Sequence, residues 1–183
     1  MIKALLIIDV QNDYFPDGRC PLYRAKEALQ TIKGLLQAFR KQTNPVIYIQ
    51  HISQNQSDFF IPNTKGVEIH QEIAPLNTDT VIVKHEPNSF YQTNLQEELI
   101  KQGVEELVVC GMMTHMCIDT TVRAAKDYSY KSILIADGCA AKDLLWEGTS
   151  ITADIVQGVY MASLHQKFAN VITSTEFYVN HMD

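Results

Sequence analysis

The sequence predicts an α/β fold of three layers, with helices on both faces of a mostly parallel, six-stranded sheet. Short, continuous apolar runs, such as residues 3–8, are typical of strands buried on both faces of a parallel sheet. They alternate with segments in which apolar residues recur at helical spacing, such as residues 25–40. Alternating strands and helices form right-handed βαβ crossovers, and these give a doubly wound, Rossmann-like arrangement.

The same patterns place the elements along the chain. Strands are predicted at residues 3–8, 46–49, 80–83, 106–110, 132–136 and 171–172. Helices are predicted at residues 25–40 and 91–102, from Cys117 to about Tyr128, and in a later segment whose apolar face carries Ile151, Ile155, Val159 and Ala162. Residues 50–77 are expected to form a long loop with room for a turn of helix. The last residues are expected to be a frayed tail or one docked on a partner.

Composition limits the functions open to this chain. With 183 residues, of which 46% are hydrophobic and 20% charged, the sequence predicts one globular domain over residues 1–183. A net charge of −6 and the lack of any basic run argue against a nucleic-acid or membrane partner. The expected binding partner is therefore a small-molecule substrate. The N-terminal apolar run is too short to span a bilayer and lacks a signal-peptide cleavage site, so a cytoplasmic protein is expected. Four cysteines do not make a disulfide framework and are expected to stay thiols.

A candidate active site lies where several strands end. Cys117 follows the strand at residues 106–110, close to a predicted helix N-terminus whose free N–H groups favour a thiolate and bind an oxyanion. Asp9, Lys84 and Asp137 also follow strands directly, and ligands of parallel sheets bind beyond the carboxyl ends of the strands. No phosphate-binding glycine motif follows any strand. Taken singly, each residue also has a structural explanation: a core cysteine, a capping aspartate or a surface lysine.

Several motifs in one order resemble the isochorismatase-like cysteine hydrolases, whose three-layer fold matches the prediction. They are IIDVQNDYF at residues 7–15, VKHEPNSF at residues 83–90 and CGMMTHMC at residues 110–117. Residues 121–125 and 136–140 extend the resemblance, which covers essentially the whole chain. A match of this length and order points to a shared fold and a shared type of site.

The resemblance implies a catalytic triad of Asp9, Lys84 and Cys117. Cys117 is then the nucleophile, Asp9 the general base and later the acid, and Lys84 the third member. It also implies a cis peptide bond at Met112–Met113, which helps to aim the backbone N–H groups of Met113 and Cys117 into an oxyanion hole. The implied activity is hydrolysis of a C–N bond in a small amide or ureido compound through a thioester.

Positions where this chain differs from the family motifs indicate which branch of the family it resembles and whether it binds a metal. The nicotinamidase branch holds a metal with an Asp-x-His pair and a further His, whereas this chain has His51 and Ser53 at the corresponding positions. No metal and no cofactor are therefore expected, with a site made by His51 and either His70 or His85 left open. True isochorismatases cleave a vinyl ether and typically lack a cysteine here, so Cys117 favours an amidase. Vinyl-ether hydrolysis and a catalytically silent or redox-sensing protein on the same scaffold are the alternatives.

Location and residue type suggest the walls of the pocket. The candidates for these walls are Phe15, Phe90, His115 and Met116, followed by Phe59, Phe60 and Trp146. Aromatic residues are also ordinary core residues, so this assignment rests on position alone. The resemblance implies a homodimer or homotetramer whose neighbouring subunit closes the pocket.

The remaining cysteines and one arginine are interpreted as structural. Cys20, Cys110 and Cys139 lie outside the position of the family nucleophile. Arg123, on the helix after Cys117, is expected to pair with a nearby acid rather than to bind substrate.

Overall fold

A computed structural model describes residues 1–54 and 57–181 and contains the predicted parallel sheet. Its strands are β1 (Ile2–Ile8), β2 (Val46–His51), β3 (Thr80–Lys84), β4 (Val104–Met112), β5 (Lys131–Ala140) and β8 (Asn170–Ile172). They lie side by side in the order β3-β2-β1-β4-β5-β8, and every neighbouring pair is parallel. A separate antiparallel hairpin consists of β6 (Leu144–Trp146) and β7 (Thr149–Ile151).

Helices cover the sheet on both faces. They are α1 (Ala25–Lys41), α2 (Leu95–Lys101), α3 (Asp119–Asp127), α4 (Ala153–Leu164) and α5 (Ser174–His181). Leu5 and Ile7 of β1 belong to the core shared with α1 and α5, whereas Leu6 and Ile8 belong to the core shared with α2, α3 and α4. Successive residues of a strand point to opposite faces, so one apolar run fills both cores. The three-layer α/β fold is thereby confirmed.

The strand order brings the ends of β1 and β4 together. Crossovers from β1 lead outwards through β2 to β3, and the chain then returns to place β4 on the other side of β1. Such a reversal opens a crevice beyond the carboxyl ends of the two adjacent strands. Gly111 allows the strands to approach closely here, because a Cβ at this position would lie 2.0 Å from the carbonyl oxygen of Ile8, and its φ of 129° favours glycine.

Two helix predictions need correction. The second helix begins at Leu95 instead of residue 91, because Gln92 has a positive φ of 53° and the Thr93 hydroxyl bonds the carbonyl of Ser89. The apolar face predicted for α4 points outwards: Ile155 is 57% exposed and Val159 is 59% exposed. The buried residues of this helix are Ala153, Val156, Met161 and Leu164.

The end of the chain also differs from the prediction. Residues 174–181 form α5, and Phe177 of this helix is buried against Phe39 of α1, with ring centroids 6.1 Å apart. Asp137 fixes the start of α5, because its carboxylate accepts hydrogen bonds from the backbone and hydroxyl of Ser174. The tail up to His181 is therefore docked on its own chain. In the described ranges, no helix is long and apolar enough to cross a bilayer.

Candidate active site

Four neighbouring stretches of chain deliver side chains to the crevice. Asp9 follows β1 and has a left-handed φ of 52°, a conformation that aspartate tolerates better than most residues. His51 ends β2 and is paired in register with Lys84, the last residue of β3. Cys117 lies in a π-helical turn, Thr114–Ile118, between β4 and α3. Parallel strands thus place all four residues at the same edge of the sheet.

Asp9 and Lys84 form a buried ion pair beside the thiol. The Nζ atom of Lys84 lies 2.8 Å from Oδ2 of Asp9, and both side chains are 0% exposed. Nζ also donates to the carbonyl oxygens of Glu86 at 3.1 Å and Pro87 at 3.0 Å. Cys117 is 4% exposed, and its sulfur lies within 4.8 Å of a carboxylate oxygen of Asp9. The three residues predicted from sequence are therefore brought together.

The ion pair holds both of its members in their charged forms. Burial tends to raise the pKa of Asp9, but the Lys84 ammonium, with help from His51 and Cys117, keeps that pKa below its usual range. Burial likewise tends to lower the pKa of Lys84, and the Asp9 carboxylate raises it above its usual range. The resting site therefore contains a carboxylate and an ammonium.

The protonation state of Cys117 differs from the thiolate that the predicted helix N-terminus was expected to favour. Burial and the adjacent Asp9 carboxylate raise the pKa of the Cys117 thiol far above its usual range, although Lys84 opposes them. The thiol, not the thiolate, is the resting form. Proximity to a helix N-terminus therefore does not outweigh burial and the charge of Asp9 at this thiol.

The turn that carries Cys117 begins at a cis peptide bond between Met112 and Met113, as the resemblance implied. The Met113 carbonyl accepts hydrogen bonds from the backbone N–H groups of Met116 and Ile118. The Thr114 hydroxyl lies 3.1 Å from the Ala140 carbonyl, which links the turn to β5. The oxyanion-hole role of Met113 and Cys117 stays a prediction on this framework.

Gln157 of α4 connects this turn to β5 through its side-chain amide. Its Oε1 lies 2.5 Å from the Thr114 hydroxyl oxygen, and its Nε2 donates to the Ala136 carbonyl at 3.1 Å. A cavity of about 350 Å³ lies beside Gln157, and its other lining residues include Arg24, Asp137, Ala140 and Asp154. Asp9, Lys84 and Cys117 are not part of its lining.

His51 and Tyr14 were not placed beside Asp9, Lys84 and Cys117 by sequence reasoning, which considered His51 only as a possible metal ligand. The Nδ1 atom of His51 lies 3.4 Å from Lys84 Nζ and 3.8 Å from Asp9 Oδ2. Gln11 fixes this end of β2, because its side-chain amide bonds both the N–H and the carbonyl of His51 at 2.8 Å. Tyr14 is 1% exposed, and burial together with the charge of Asp9 raises its pKa well above the usual range. The motif NDY was the available signal for Tyr14, but spacing alone does not show where a loop residue points.

The predicted wall residues have varied surroundings. Phe15 packs on His70 with ring centroids 4.3 Å apart, and Phe90 packs on Tyr128 at 4.9 Å. These contacts explain both phenylalanines as packing residues, so their role as walls stays a prediction.

His115 and Met116 flank the nucleophile in different ways. His115 is 8% exposed and faces Tyr160 of α4 at a centroid distance of 6.2 Å, whereas Met116 is 42% exposed. Burial and Lys142 lower the pKa of His115.

Trp146 lies at the tip of the β6–β7 hairpin and is 69% exposed, because this hairpin extends away from the core.

Phe59 and Phe60 occupy the side of the site next to Tyr14. The Phe60 ring lies 4.6 Å from the Tyr14 ring and 5.7 Å from the His51 ring, measured between centroids. Phe59 lies 4.9 Å from Phe60 and is only half-buried. Phe60 therefore packs against the residues that surround the triad.

The histidines do not assemble as one metal site. His85 is exposed and bonds the Ile52 carbonyl, while His70 caps a 3-10 turn next to Phe15. Within the described ranges, the group of ligand atoms close enough to hold a cation comes from Asp9, His51 and Cys117.

The other cysteines and Arg123 lie outside the site. All four cysteines are free thiols, and Cys110 and Cys139 are buried. Arg123 pairs with Asp119, its Nε lying 2.9 Å from Oδ1, as the sequence predicted. These residues support the fold around the site.

A doubly wound α/β sheet with a buried thiol beside an ion pair at its crevice is the arrangement that the resemblance to cysteine hydrolases implied. The chain matches the isochorismatase domain over residues 3–176 and belongs to the isochorismatase family. It is 48% identical to the uncharacterized isochorismatase family protein YddQ of Bacillus subtilis, over 97% of this chain and 99% of that protein. It is also 30% identical to nicotinamidase 3 of Arabidopsis thaliana, over 76% of this chain and 73% of the relative.

Solved structures agree with this assignment. An isochorismatase hydrolase structure from Oleispira antarctica superposes with a TM-score of 0.94 at 36% identity, covering 97% of this chain and 96% of that one. A cysteine hydrolase from Pseudomonas syringae pv. phaseolicola gives a TM-score of 0.89 at 28% identity, covering 95% and 89%. The protein is thus an isochorismatase-family cysteine hydrolase.

Proposed function

We propose that this protein hydrolyses the C–N bond of a small amide or ureido compound through a thioester on Cys117. The observation that carries the proposal is that the Cys117 sulfur lies within 4.8 Å of a carboxylate oxygen of Asp9, whose buried side chain is paired with Lys84 at 2.8 Å. A thiol, a carboxylate and an ammonium in one enclosed site supply a nucleophile, a base and a fixed positive charge. The names of nicotinamidase and streptothricin hydrolase among the relatives support the choice of a C–N bond.

The first half of the reaction forms the thioester. Asp9 takes the proton of the Cys117 thiol while the sulfur attacks the substrate carbonyl carbon. The backbone N–H groups of Met113 and Cys117 hold the resulting oxyanion. The tetrahedral intermediate collapses when the C–N bond breaks and the protonated Asp9 gives its proton to the leaving nitrogen. Lys84 keeps Asp9 ionised at the start, so that the base is available.

The second half releases the acid. A water molecule enters in place of the leaving amine, loses a proton to Asp9 and attacks the thioester carbonyl. The C–S bond breaks, and the proton on Asp9 returns to the sulfur. Because Cys117 is only 4% exposed, entry of substrate requires movement of the groups that cover it.

The alternatives are less well supported by the site. Peroxide reacts with a thiolate, and burial beside Asp9 keeps Cys117 in the thiol form, which disfavours a redox sensor. Vinyl-ether hydrolysis does not require the sulfur and is tested by Cys117→Gly. Retained cleavage of a vinyl ether by that variant would favour the isochorismatase-type reaction.

The experiment is a screen of small amides, ureido acids and nicotinamide for ammonia or amine release. The expected result is turnover of at least one compound by the wild-type protein and by Cys20→Ala, and none by Cys117→Ala. Cys20 is a suitable control because it is a half-buried thiol outside the triad. Release at the wild-type rate by Cys117→Ala would rule out the covalent mechanism.

We also propose a homo-oligomer in the cytoplasm. The outer face of α4 exposes Ile155 and Val159, and the hairpin exposes Leu145 and Trp146. Exposed apolar residues of this kind are typical of protein interfaces. Free thiols at all four cysteines fit a reducing compartment. Light scattering should give a dimer or tetramer mass for the wild type and a lower mass for Val159→Asp, whereas a wild-type monomer would refute the oligomer.

A further inference from the structure

We propose that Asp9, His51 and Cys117 also form a reversible binding site for Zn²⁺ that blocks the nucleophile. One carboxylate oxygen, one imidazole nitrogen and the sulfur lie within 4.8 Å of one another. These three atom types are the ligands that Zn²⁺ prefers, and tetrahedral coordination leaves a fourth position for water. The site uses the reactive groups themselves, unlike the Asp-x-His motif of the nicotinamidase branch.

The Asp9 carboxylate has capacity for a further ligand contact. In residues 1–54 and 57–181, neither of its oxygens accepts a hydrogen bond of ordinary geometry. Lys84 approaches through Oδ2 at 2.8 Å, which leaves Oδ1 for a cation. A buried carboxylate oxygen without a donor is costly, and a metal ion would remove that cost.

His51 supplies the nitrogen from the more open side of the site. Its side chain is 15% exposed, whereas the Asp9 side chain is 0% exposed, so His51 lies between the ion pair and solvent. The Gln11 amide fixes the backbone of His51 on both sides, and the ring is held with Nδ1 3.8 Å from Asp9 Oδ2 and 3.4 Å from Lys84 Nζ. A cation can therefore meet His51 before it reaches the buried groups.

Binding exchanges a proton for the metal. The S–H bond of Cys117 breaks, a Zn–S bond forms, and the proton leaves to solvent. The thiolate and the carboxylate neutralise the cation, but the Lys84 ammonium then leaves the cluster with a net positive charge. This repulsion makes the site weaker than a structural zinc site, so a chelator should remove the metal. A sulfur ligand also selects Zn²⁺ and Cd²⁺ over Mg²⁺.

The test titrates the free protein with Cd²⁺, followed by the ultraviolet absorption of the cadmium–thiolate bond, and with Zn²⁺ by calorimetry. The wild type should bind one equivalent reversibly and should not respond to Mg²⁺. His51→Asn removes one of the three proposed ligands and should weaken the binding of Cd²⁺ and Zn²⁺ at least about tenfold. His85→Asn is the matched control, because His85 is exposed, follows Lys84 directly and is bonded to the Ile52 carbonyl. It should bind like the wild type.

Cysteine variants identify the sulfur. Cys117→Ser should lose the cadmium–thiolate absorption, and Cys20→Ser should keep it. Absorption that persists in Cys117→Ser, or equal affinity of His51→Asn and the wild type, would overturn the proposal. Since no substrate is present, this outcome is independent of whether the protein cleaves amides.

Discussion

Replacing Lys84 with Met should destabilise the protein strongly at neutral pH. Lys84 and Asp9 are 0% exposed and lie 2.8 Å apart, so the variant leaves a buried carboxylate without its counter-charge. Breaking a buried ion pair by removing one partner typically costs about 3–5 kcal/mol. The free energy of unfolding is measured by urea denaturation, where stability falls linearly with denaturant concentration.

The loss should also shrink as the pH falls. In the wild type the ion pair lowers the pKa of Asp9 below its ordinary value of 3.8, so its stabilisation is present above that pH and disappears at lower pH. Without the ammonium, burial raises the pKa of Asp9, and the folded variant takes up a proton before the unfolded chain does. Acid therefore stabilises Lys84→Met relative to the wild type. The difference between the two proteins should be smaller at pH 4 than at pH 7.

Lys33→Met is the matched control, because Lys33 pairs with Glu72 at the surface, where both side chains are partly exposed. A pair of this kind contributes about 0–1 kcal/mol. If Lys84→Met cost no more than Lys33→Met at pH 7, or if its cost did not change with pH, the account of the buried pair would be wrong.

Three further predictions address the site. Tyr14→Phe should fold normally but lower kcat/KM, because it removes the hydroxyl of a buried ring that packs on Phe60, the neighbour of His51; unchanged kinetics would exclude Tyr14 from the pocket. Gly111→Ala should lose stability or fail to accumulate, because its Cβ would lie 2.0 Å from the Ile8 carbonyl oxygen; a wild-type melting temperature would contradict this. Iodoacetamide should label Cys117 slowly at pH 7 and faster above pH 9, since burial beside Asp9 raises the thiol pKa; rapid labelling at pH 6 would refute a resting thiol.

The sequence predicted that Asp9, Lys84 and Cys117 come together because topology and motif order act together. Apolar runs place Asp9 and Lys84 at the ends of parallel strands, and these ends share one edge of the sheet. The position of Cys117 follows from β4, which lies beside β1. Three residues far apart in sequence therefore converge for a reason that can be stated before any coordinates are seen.

Other features depend on details that periodicity does not contain. His51 reaches the triad only because β2 pairs with β3 in the register that sets it opposite Lys84. The thiol state of Cys117 reflects burial and the charge of Asp9, which outweigh the expected effect of a helix N-terminus. The inward face of α4 was misassigned because both of its faces are apolar, with Val156 buried and Val159 exposed. Tertiary packing decides between such faces.

The central claim is that Cys117 carries the acyl group during turnover. The most direct measurement is the intact mass of the protein after acid quenching in the presence of the best substrate from the amide and ureido screen. The predicted result is one acyl group on the wild-type protein, mapped to Cys117 by peptide analysis, with one equivalent of ammonia or amine released in the first turnover. Turnover without any adduct, together with full activity of Cys117→Ala, would contradict it.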